Sequence, residues 1–252
     1  MSTLLLRLAA PMQSWGVSSK FNRRMSNSEP TRSGVIGLVA AAMGRGRGES
    51  LAEFSSLKFG VRIDQPGRME KDFQMVHRDE GKKSSSWLTD RYYLADAVFL
   101  AALEGDNDFL KDIEWAFKNP VYPLFLGRRS CPPAGRLCLG IRETGMRDSL
   151  RQEAWQASPW YKRRAKYNKI ASIEIVRDAD VEENAYEVLR DEPKSFSQLR
   201  RQYDFRNVVR ERILLSEIVE ATSDFAKGDI PTEHDPMALW EEYDVSFKSE
   251  NQ

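Results

Sequence analysis

Two short arginine-containing segments have the composition of a phosphate-binding site. The first, Thr31-Arg32-Ser33, begins an apolar segment that ends at Gly44. Thr31 and Ser33 are both suitable helix N-caps, and the backbone N–H groups in the first turn of a helix favour anions. The pattern predicts a helix that is buried nearly all round and has an accessible first turn. The alternative is an ordinary capped core helix with a surface arginine.

The second segment is Gly127-Arg128-Arg129-Ser130, which is followed closely by two prolines. Glycine lets a backbone approach a phosphate closely, and two guanidinium groups supply forked donors for its oxygens. The same residues are equally compatible with a surface turn that carries two solvated arginines.

A third segment, residues 160–169, contains five basic residues, three aromatic residues and no acid. Basic and aromatic side chains together suit single-stranded nucleic acid, because they attract phosphates and stack on bases. The alternative is an exposed helix or linker whose lysines are simply solvated.

Composition limits the class of protein. The 252 residues are 41% hydrophobic and 30% charged, as expected for a soluble globular protein. No apolar run approaches the length of a membrane span, no signal peptide is recognisable, and Cys131 and Cys138 are too few for a disulfide framework, so we expect a cytoplasmic protein. The net charge is zero, but residues 1–48 carry seven basic residues and one acid, whereas 217–252 carry two lysines and ten acids. This asymmetry hints at a nucleic-acid-facing half.

Hydrophobic periodicity predicts an α+β fold. Alternating or continuous apolar runs predict strands at 3–8, 57–63, 95–103 and 137–141, and amphipathic patterns predict helices at 34–43 and 107–119. Residues 73–77 could pair with the second strand. The order strand, helix, two strands, helix, strand is that of a ferredoxin-like (RRM-like) antiparallel sheet with two helices on one face. Further on, 146–157 is predicted as a helix and 170–176 as a strand.

Four motifs, in order along the chain, resemble the CasD family. They are Arg7-Leu-Ala-Ala-Pro-Met-Gln-Ser-Trp-Gly16, Pro30-Thr-Arg-Ser-Gly34 with the helix to Gly44, Leu126-Gly-Arg-Arg-Ser-Cys-Pro132, and Asp191-Glu-Pro193 with Arg201-Gln-Tyr203 and Arg206. Members of that family are subunits of type I-E Cascade, the bacterial CRISPR surveillance complex, and hold the 5′ handle of the crRNA. The motifs span most of the chain, although residues 147–169 match less well.

The resemblance implies a domain organisation and a set of contacts. Residues 1–145 would form the ferredoxin-like RNA-binding domain, with a projecting thumb hairpin at about 77–94, and 146–252 a smaller, partly acidic C-terminal region that contains β-structure. The expected partners are the crRNA 5′ handle, the backbone subunit CasC and the large subunit CasA, with no membrane, no small-molecule substrate, no cofactor and no metal. The expected RNA-binding residues are Gln13, Ser14, Trp15, Arg32, Ser33, Lys82, Lys83, Trp87, Gly127, Arg128, Arg129, Ser130, Arg201 and Arg206. For Trp15, a role as a core or loop-anchoring aromatic is the favoured alternative.

Catalysis has little support in the sequence. The chain has two histidines, His77 and His234, and no metalloprotease, nucleophile-elbow or P-loop motif. Metal-independent RNA cleavage needs a general base and a cation, which His77 with Lys82, Lys83 or Tyr92 could supply. We therefore expect a non-catalytic RNA-binding subunit. The alternatives are a metal-independent endoribonuclease acting on CRISPR repeat RNA, and a ferredoxin-like module that only joins proteins.

Overall fold

A seven-stranded sheet forms the core of the described part of the chain. The computed structural model describes residues 1–16, 23–79, 84–183 and 187–218, all of which belong to one compact unit, Met1–Glu220. The strands of the sheet are β1 (Ser2–Ala9), β4 (Lys58–Gln65), β7 (Val98–Gly105), β8 (Cys138–Arg142), β9 (Ser172–Asp178), β10 (Glu187–Ser195) and β11 (Gln202–Leu214). Their order is β10-β11-β9-β4-β7-β1-β8, and every neighbouring pair is antiparallel.

A smaller sheet projects from the end of the large one. It contains β2 (Met12–Gln13), β3 (Arg23–Arg24), β5 (Arg68–Asp79) and β6 (Ser84–Ala95). β5 and β6 pair in continuous register from Arg68–Ala95 to Asp79–Ser84, so they form a long hairpin. The prediction that residues 73–77 pair with the strand at 57–63 is therefore wrong. The hairpin extends beyond the predicted thumb at 77–94, because its first strand already begins at Arg68.

Four helices cover the large sheet and its edges: α1 (Arg32–Ala42), α2 (Asn107–Lys118), α3 (Met146–Gln152) and α4 (Pro159–Tyr167). Side chains of α1 and α2 join Leu4, Leu6 and Leu8 of β1 in one apolar cluster. On the opposite face of the sheet, Leu5 of β1 packs in a second cluster with α3. Side chains at alternate positions of β1 point to opposite faces of the sheet, and both faces of the strand are therefore buried.

Helix α1 confirms the predicted buried helix, including its ends. The Thr31 hydroxyl accepts a hydrogen bond from the Gly34 N–H at 3.2 Å and caps the N-terminus. At the other end Gly44 has φ +76°, and the N–H groups of Gly44 and Arg45 donate to Ala41 and Ala40. This double hydrogen bond is the Schellman motif, which requires the left-handed residue that glycine supplies most easily.

Helix α3 is shorter than the predicted 146–157. The buried Arg62 side chain donates to the carbonyl oxygens of Leu150, Glu153 and Ala154, and it pairs with Asp64 at 2.6 Å. These carbonyls are turned toward the guanidinium instead of continuing the helix. A single buried arginine thus fixes where the helix ends.

The coarse prediction of an α+β protein with a large antiparallel sheet is confirmed. The strands that follow residue 145 continue the same sheet, so β-structure of the C-terminal region lies beside β4. The division into residues 1–145 and 146–252 stays a prediction, and 219–252 lie outside the described residues. Within the described ranges, no helix is long and apolar enough to cross a membrane.

Leu38 tests the burial of α1. It is 4% exposed in the main apolar cluster, so we expect Leu38→Ala to lower the free energy of unfolding by roughly 2–5 kcal/mol through the cavity it leaves. Leu199→Ala is the matched control, because Leu199 is fully exposed and its loss should change stability by about 0.5 kcal/mol or less. Urea unfolding of both variants measures the difference, and equal midpoints would contradict the burial of α1.

Candidate nucleic-acid interface

The Gly127 loop is held against the segment that follows β1. Gly127 has φ +86°, and a Cβ atom there would lie 1.6 Å from the carbonyl oxygen of Ser14. The Ser14 N–H donates to the Leu126 carbonyl at 3.1 Å, and the Leu126 N–H donates to Cys131 at 2.7 Å. Only glycine fits this approach, so the loop and the Ser14 segment have a fixed mutual position.

Arg128 extends from this loop onto the small sheet. Its guanidinium lies 4.4 Å from the ring centroid of Tyr93 on β6, and Nη2 donates to the Arg24 carbonyl of β3 at 2.8 Å. Arg24 pairs with Arg91 in the parallel register of β3 and β6. The structure therefore brings Ser14, Gly127 and Arg128 together with two residues that the sequence analysis missed, Arg91 and Tyr93.

The positive charge around Tyr93 changes the pKa of its phenol. Burial raises the pKa of its phenol, but the neighbouring Arg128, Ser130 and Arg91 side chains lower it, and the net pKa lies below the ordinary value. A phenol in this setting is a hydrogen-bonding group in a cationic environment. Nearby cations stabilise the deprotonated, negatively charged form of a phenol. The same cations would attract a negatively charged phosphate.

Polar atoms around this junction are not fully satisfied. Among the described residues, Arg128 Nη1, Arg91 Nε and Asp90 Oδ1 are buried and have no hydrogen-bond partner. A buried donor without an acceptor costs about 1–3 kcal/mol. Two of the three atoms are guanidinium nitrogens, which would be satisfied by an anionic acceptor placed between them and the loop.

The residues of β6 that share a face with Tyr93 extend the site along this strand. Trp87, Thr89, Arg91 and Tyr93 occupy alternate positions of the strand and so share one face of the hairpin, which we call the hairpin strip. Arg128 lies over this face at its Tyr93 end. Trp87 is exposed near the other end. The signal in the sequence that could have found the strip is the spacing of Trp87, Thr89, Arg91 and Tyr93 at every second position, which places residues of a strand on one face.

Three of the predicted RNA-binding residues, near the beginning of the chain, are buried and form hydrogen bonds within the protein. The Gln13 amide donates to the Leu8 and Ala97 carbonyls, and its oxygen accepts from the Trp15 indole at 3.0 Å. Trp15 packs against Gly34 of α1, where a Cβ would lie 2.8 Å from the indole. This confirms the alternative interpretation of Trp15 as a loop-anchoring aromatic. Ser14 is buried as well and donates to Tyr92.

The prediction of an accessible first turn on α1 is wrong. Arg32 is 3% exposed, and Ser33 is also buried. The Arg32 N–H donates to Asp191 at 2.8 Å, while Nη1 bonds Asp178 at 2.8 Å and Nε pairs with Glu192 at 2.5 Å. The helix N-terminus does hold an anion, but it is a carboxylate of this chain.

Arg206 belongs to the same buried cluster. It contacts Asp191 at 2.6 Å and Asp178 at 2.7 Å, and its guanidinium lies over the Phe59 ring. Burial lowers the pKa of Arg206, but the two carboxylates outweigh it and raise the pKa above the ordinary value. RNA contact by Arg32, Ser33 and Arg206 stays a prediction, although the donors of both arginines already face carboxylates. We call these five residues, Arg32, Asp178, Asp191, Glu192 and Arg206, the α1 ion cluster.

Of the remaining predicted residues, only Ser130 lies at this junction, where it is exposed and close enough to Tyr93 to lower the pKa of the phenol. Arg129 and Arg201 are exposed, while Lys82 and Lys83 lie outside the described residues. The catalytic alternative is not assembled around Tyr92. His77 accepts or donates a hydrogen bond with Ser86 at 2.8 Å, whereas Tyr92 pairs with Lys71, six residues and therefore about 20 Å along the strand.

Arg32→Ala tests whether the α1 ion cluster is structural. Removing this cation leaves the partly buried Glu192 without its partner and Asp178 with Arg206 alone, so we expect a loss of roughly 3 kcal/mol in the free energy of unfolding. Arg45→Ala is the matched control, because Arg45 pairs with Glu53 at the surface and such pairs contribute about 0–1 kcal/mol. Similar denaturant midpoints for the two variants would exclude a structural role for Arg32.

Comparison with known proteins identifies the family of this chain. The family model described as CRISPR-associated protein (Cas_Cas5) matches residues 3–209. The Cascade subunit CasD of Escherichia coli (strain K12) is 37% identical over 158 residues, which are 55% of this chain and 70% of that protein.

Two solved structures resemble most of the chain. A chain of a "CRISPR RNA-guided surveillance complex" has a TM-score of 0.71 at 30% identity and covers 89% of this chain and 96% of its own. A structure described as "Crystal structure of Cas protein" has a TM-score of 0.68 at 32% identity. The match covers 86% of this chain and 98% of that chain. The resemblance to CasD proteins is confirmed, and the chain belongs to the Cas5 family of CRISPR-associated proteins.

Proposed function

We propose that this chain is a non-catalytic RNA-binding subunit of a CRISPR Cascade complex that holds the 5′ handle of the crRNA. The observation that carries the proposal is the junction of Arg128 with the hairpin strip, where two buried guanidinium nitrogens lack an acceptor. Phosphate oxygens are suitable acceptors for such donors. Family membership makes a repeat-derived RNA the appropriate source of those phosphates.

The hairpin strip suits a single-stranded segment of RNA. Its exposed Trp87 offers a ring for base stacking, and Arg91 and Arg128 supply positive charge at the opposite end. Contacts to phosphates position a strand, whereas stacking and base-edge contacts discriminate among bases. The strip combines the two kinds of contact along one face.

We further propose that β8, β1, β7 and β4 with α1 and α2 form the ferredoxin-like (RRM-like) module of the chain. β1 and β4 each flank β7 antiparallel, as a split βαβ unit requires. Both helices pack in the apolar cluster on one face of β1. The partners that fit this role are the backbone subunit CasC and the large subunit CasA of a Cascade, in line with the Cascade naming of the Escherichia coli relative.

The double substitution Arg128→Ala/Arg129→Ala tests the handle site. Each charge-assisted contact that is lost should cost roughly 1–3 kcal/mol, so we expect a clear fall in affinity for repeat-derived RNA, measured by fluorescence anisotropy at several salt concentrations. Lys111→Ala/Lys118→Ala removes two exposed cations from α2 and is the charge-matched control. Equal affinities for wild type and the arginine variant at every salt concentration would exclude this site.

Cleavage of repeat RNA separates the binding function from the endoribonuclease alternative. We expect purified wild-type protein, with or without magnesium, to leave repeat RNA uncut, and His77→Ala to behave identically. A general acid or base is worth roughly 10²–10⁴-fold in rate, so a real activity would be visible on a denaturing gel. Cleavage at one position of the repeat that disappears in His77→Ala would establish the nuclease instead.

A further inference from the structure

Helix α4 presents an unusual surface to solvent. Trp160, Arg163, Arg164 and Tyr167 follow the spacing i, i+3, i+4 and i+7, so they form one face of the helix. That spacing normally marks a buried apolar stripe. Here all four residues are exposed, and the two aromatics are 43% and 87% exposed. We call these four residues the α4 surface.

The opposite side of α4 holds the helix on the protein. Ala165 is buried there. Tyr161 packs edge-on against Trp155, whose indole donates to the Asp64 carbonyl at 2.9 Å. The Ser158 hydroxyl at the helix start donates to Gln65 at 2.7 Å. The helix is therefore anchored to the end of β4, and the exposed side chains project from a fixed base.

Trp160 is braced although it is exposed. Its ring meets Tyr161 at 5.7 Å in a perpendicular arrangement. Trp160 and Tyr167 are seven residues apart, which corresponds to about 10 Å along the helix axis. The two arginines lie between them on the same face. An aromatic residue at each end of a pair of cations leaves space for a nucleotide between the rings.

The two arginines of the α4 surface have no acidic partner among the described residues. No acidic residue occurs between Glu153 and Glu174. In the part of the chain that the structure describes, Arg163, Arg164, Lys166 and Lys169 form no ion pair within 4.0 Å, in contrast to arginines such as Arg147, Arg177 and Arg210. Arginines without acidic partners on a fixed helix are available to an external anion.

We propose that the α4 surface is a second binding site for single-stranded nucleic acid, separate from the hairpin strip. Phosphates would pair with the two guanidinium groups, and bases would stack on Trp160 and Tyr167. Duplex binding would use the cations but leave the two rings without a role. An acidic protein partner would likewise satisfy charge without using exposed rings at both ends. Single-stranded RNA and DNA share the required chemistry.

Binding of the full-length chain to unstructured oligonucleotides unrelated to the repeat tests the proposal. Fluorescence anisotropy with a 20-nucleotide oligo(dT) and an oligo(U) probe separates DNA from RNA. The measurements are made in the Arg128→Ala/Arg129→Ala background, which removes the handle site from the readout. We expect Arg163→Ala/Arg164→Ala to weaken binding and to reduce the slope of log K against log salt by about 1.4, or about 0.7 for each phosphate contact.

The two aromatic residues of the α4 surface are tested separately from the two arginines. Trp160→Ala and Tyr167→Ala should each weaken binding roughly 5-fold or more, because a lost stacking contact costs about 1–3 kcal/mol, with little change of the salt slope. Lys111→Ala/Lys118→Ala is the control for general charge, and circular dichroism verifies that each variant folds.

Photo-cross-linking locates the contact directly. With 4-thiouridine or 5-bromodeoxyuridine probes, we expect cross-links to the peptide that contains residues 160–167. The proposal is overturned if the control variant weakens binding as much as the α4 variants do, if cross-links fall only in the 127–130 loop, or if no probe binds. Binding of an acidic polypeptide in place of either oligonucleotide would assign the surface to a protein partner and would also overturn it.

Discussion

Buried ion pairing at the start of α1 holds β9, β10 and β11 in position against this helix. Asp191 of β10 accepts from the first N–H of the helix, and Asp178 of β9 accepts from both Arg32 and Arg206. Removing charges from water is costly, and only mutual pairing with good geometry compensates for it. The cluster therefore favours one position of β9, β10 and β11 relative to α1, because any displacement would leave a buried charge without its partner.

The same physical requirement separates two classes of arginine in this chain. The side chains of Arg62, Arg177 and Arg206 are almost wholly buried and paired with carboxylates, so their donors are already used within the fold. Arg32 pairs with Asp178 and Glu192, although its Nε lies close to Glu192 without the geometry of a hydrogen bond. Arg91 and Arg128 are different, since each has a buried nitrogen without an acceptor among the described residues. A buried guanidinium nitrogen without an acceptor inside the protein can be satisfied by an external anion. Whether a guanidinium nitrogen has an acceptor depends on the geometry of the fold, so a count of charges in the sequence cannot reveal it.

The sequence predicted the elements whose signals are local. The helix α1 was specified by Thr31, the apolar face and Gly44, which are all within 14 residues. The burial of Arg32 was not predictable in this way, because its partners Asp178 and Glu192 lie 146 and 160 residues further along the chain. The register of β5 with β6 was missed for a related reason. An alternating pattern identifies a strand but does not identify the strand with which it pairs.

Regional charge is therefore a weaker guide to an RNA-binding surface than local pairing. The excess of basic residues in 1–48 first suggested a nucleic-acid-facing half, yet Arg32 pairs with Asp178 and Arg45 pairs with Glu53. These charges are neutralised by acids that come from other parts of the chain. Screening by water and salt reduces what remains over distances of about 10 Å. A phosphate responds to donors within hydrogen-bonding reach, so the arrangement of Arg128 beside the hairpin strip carries more information than the net charge of any segment.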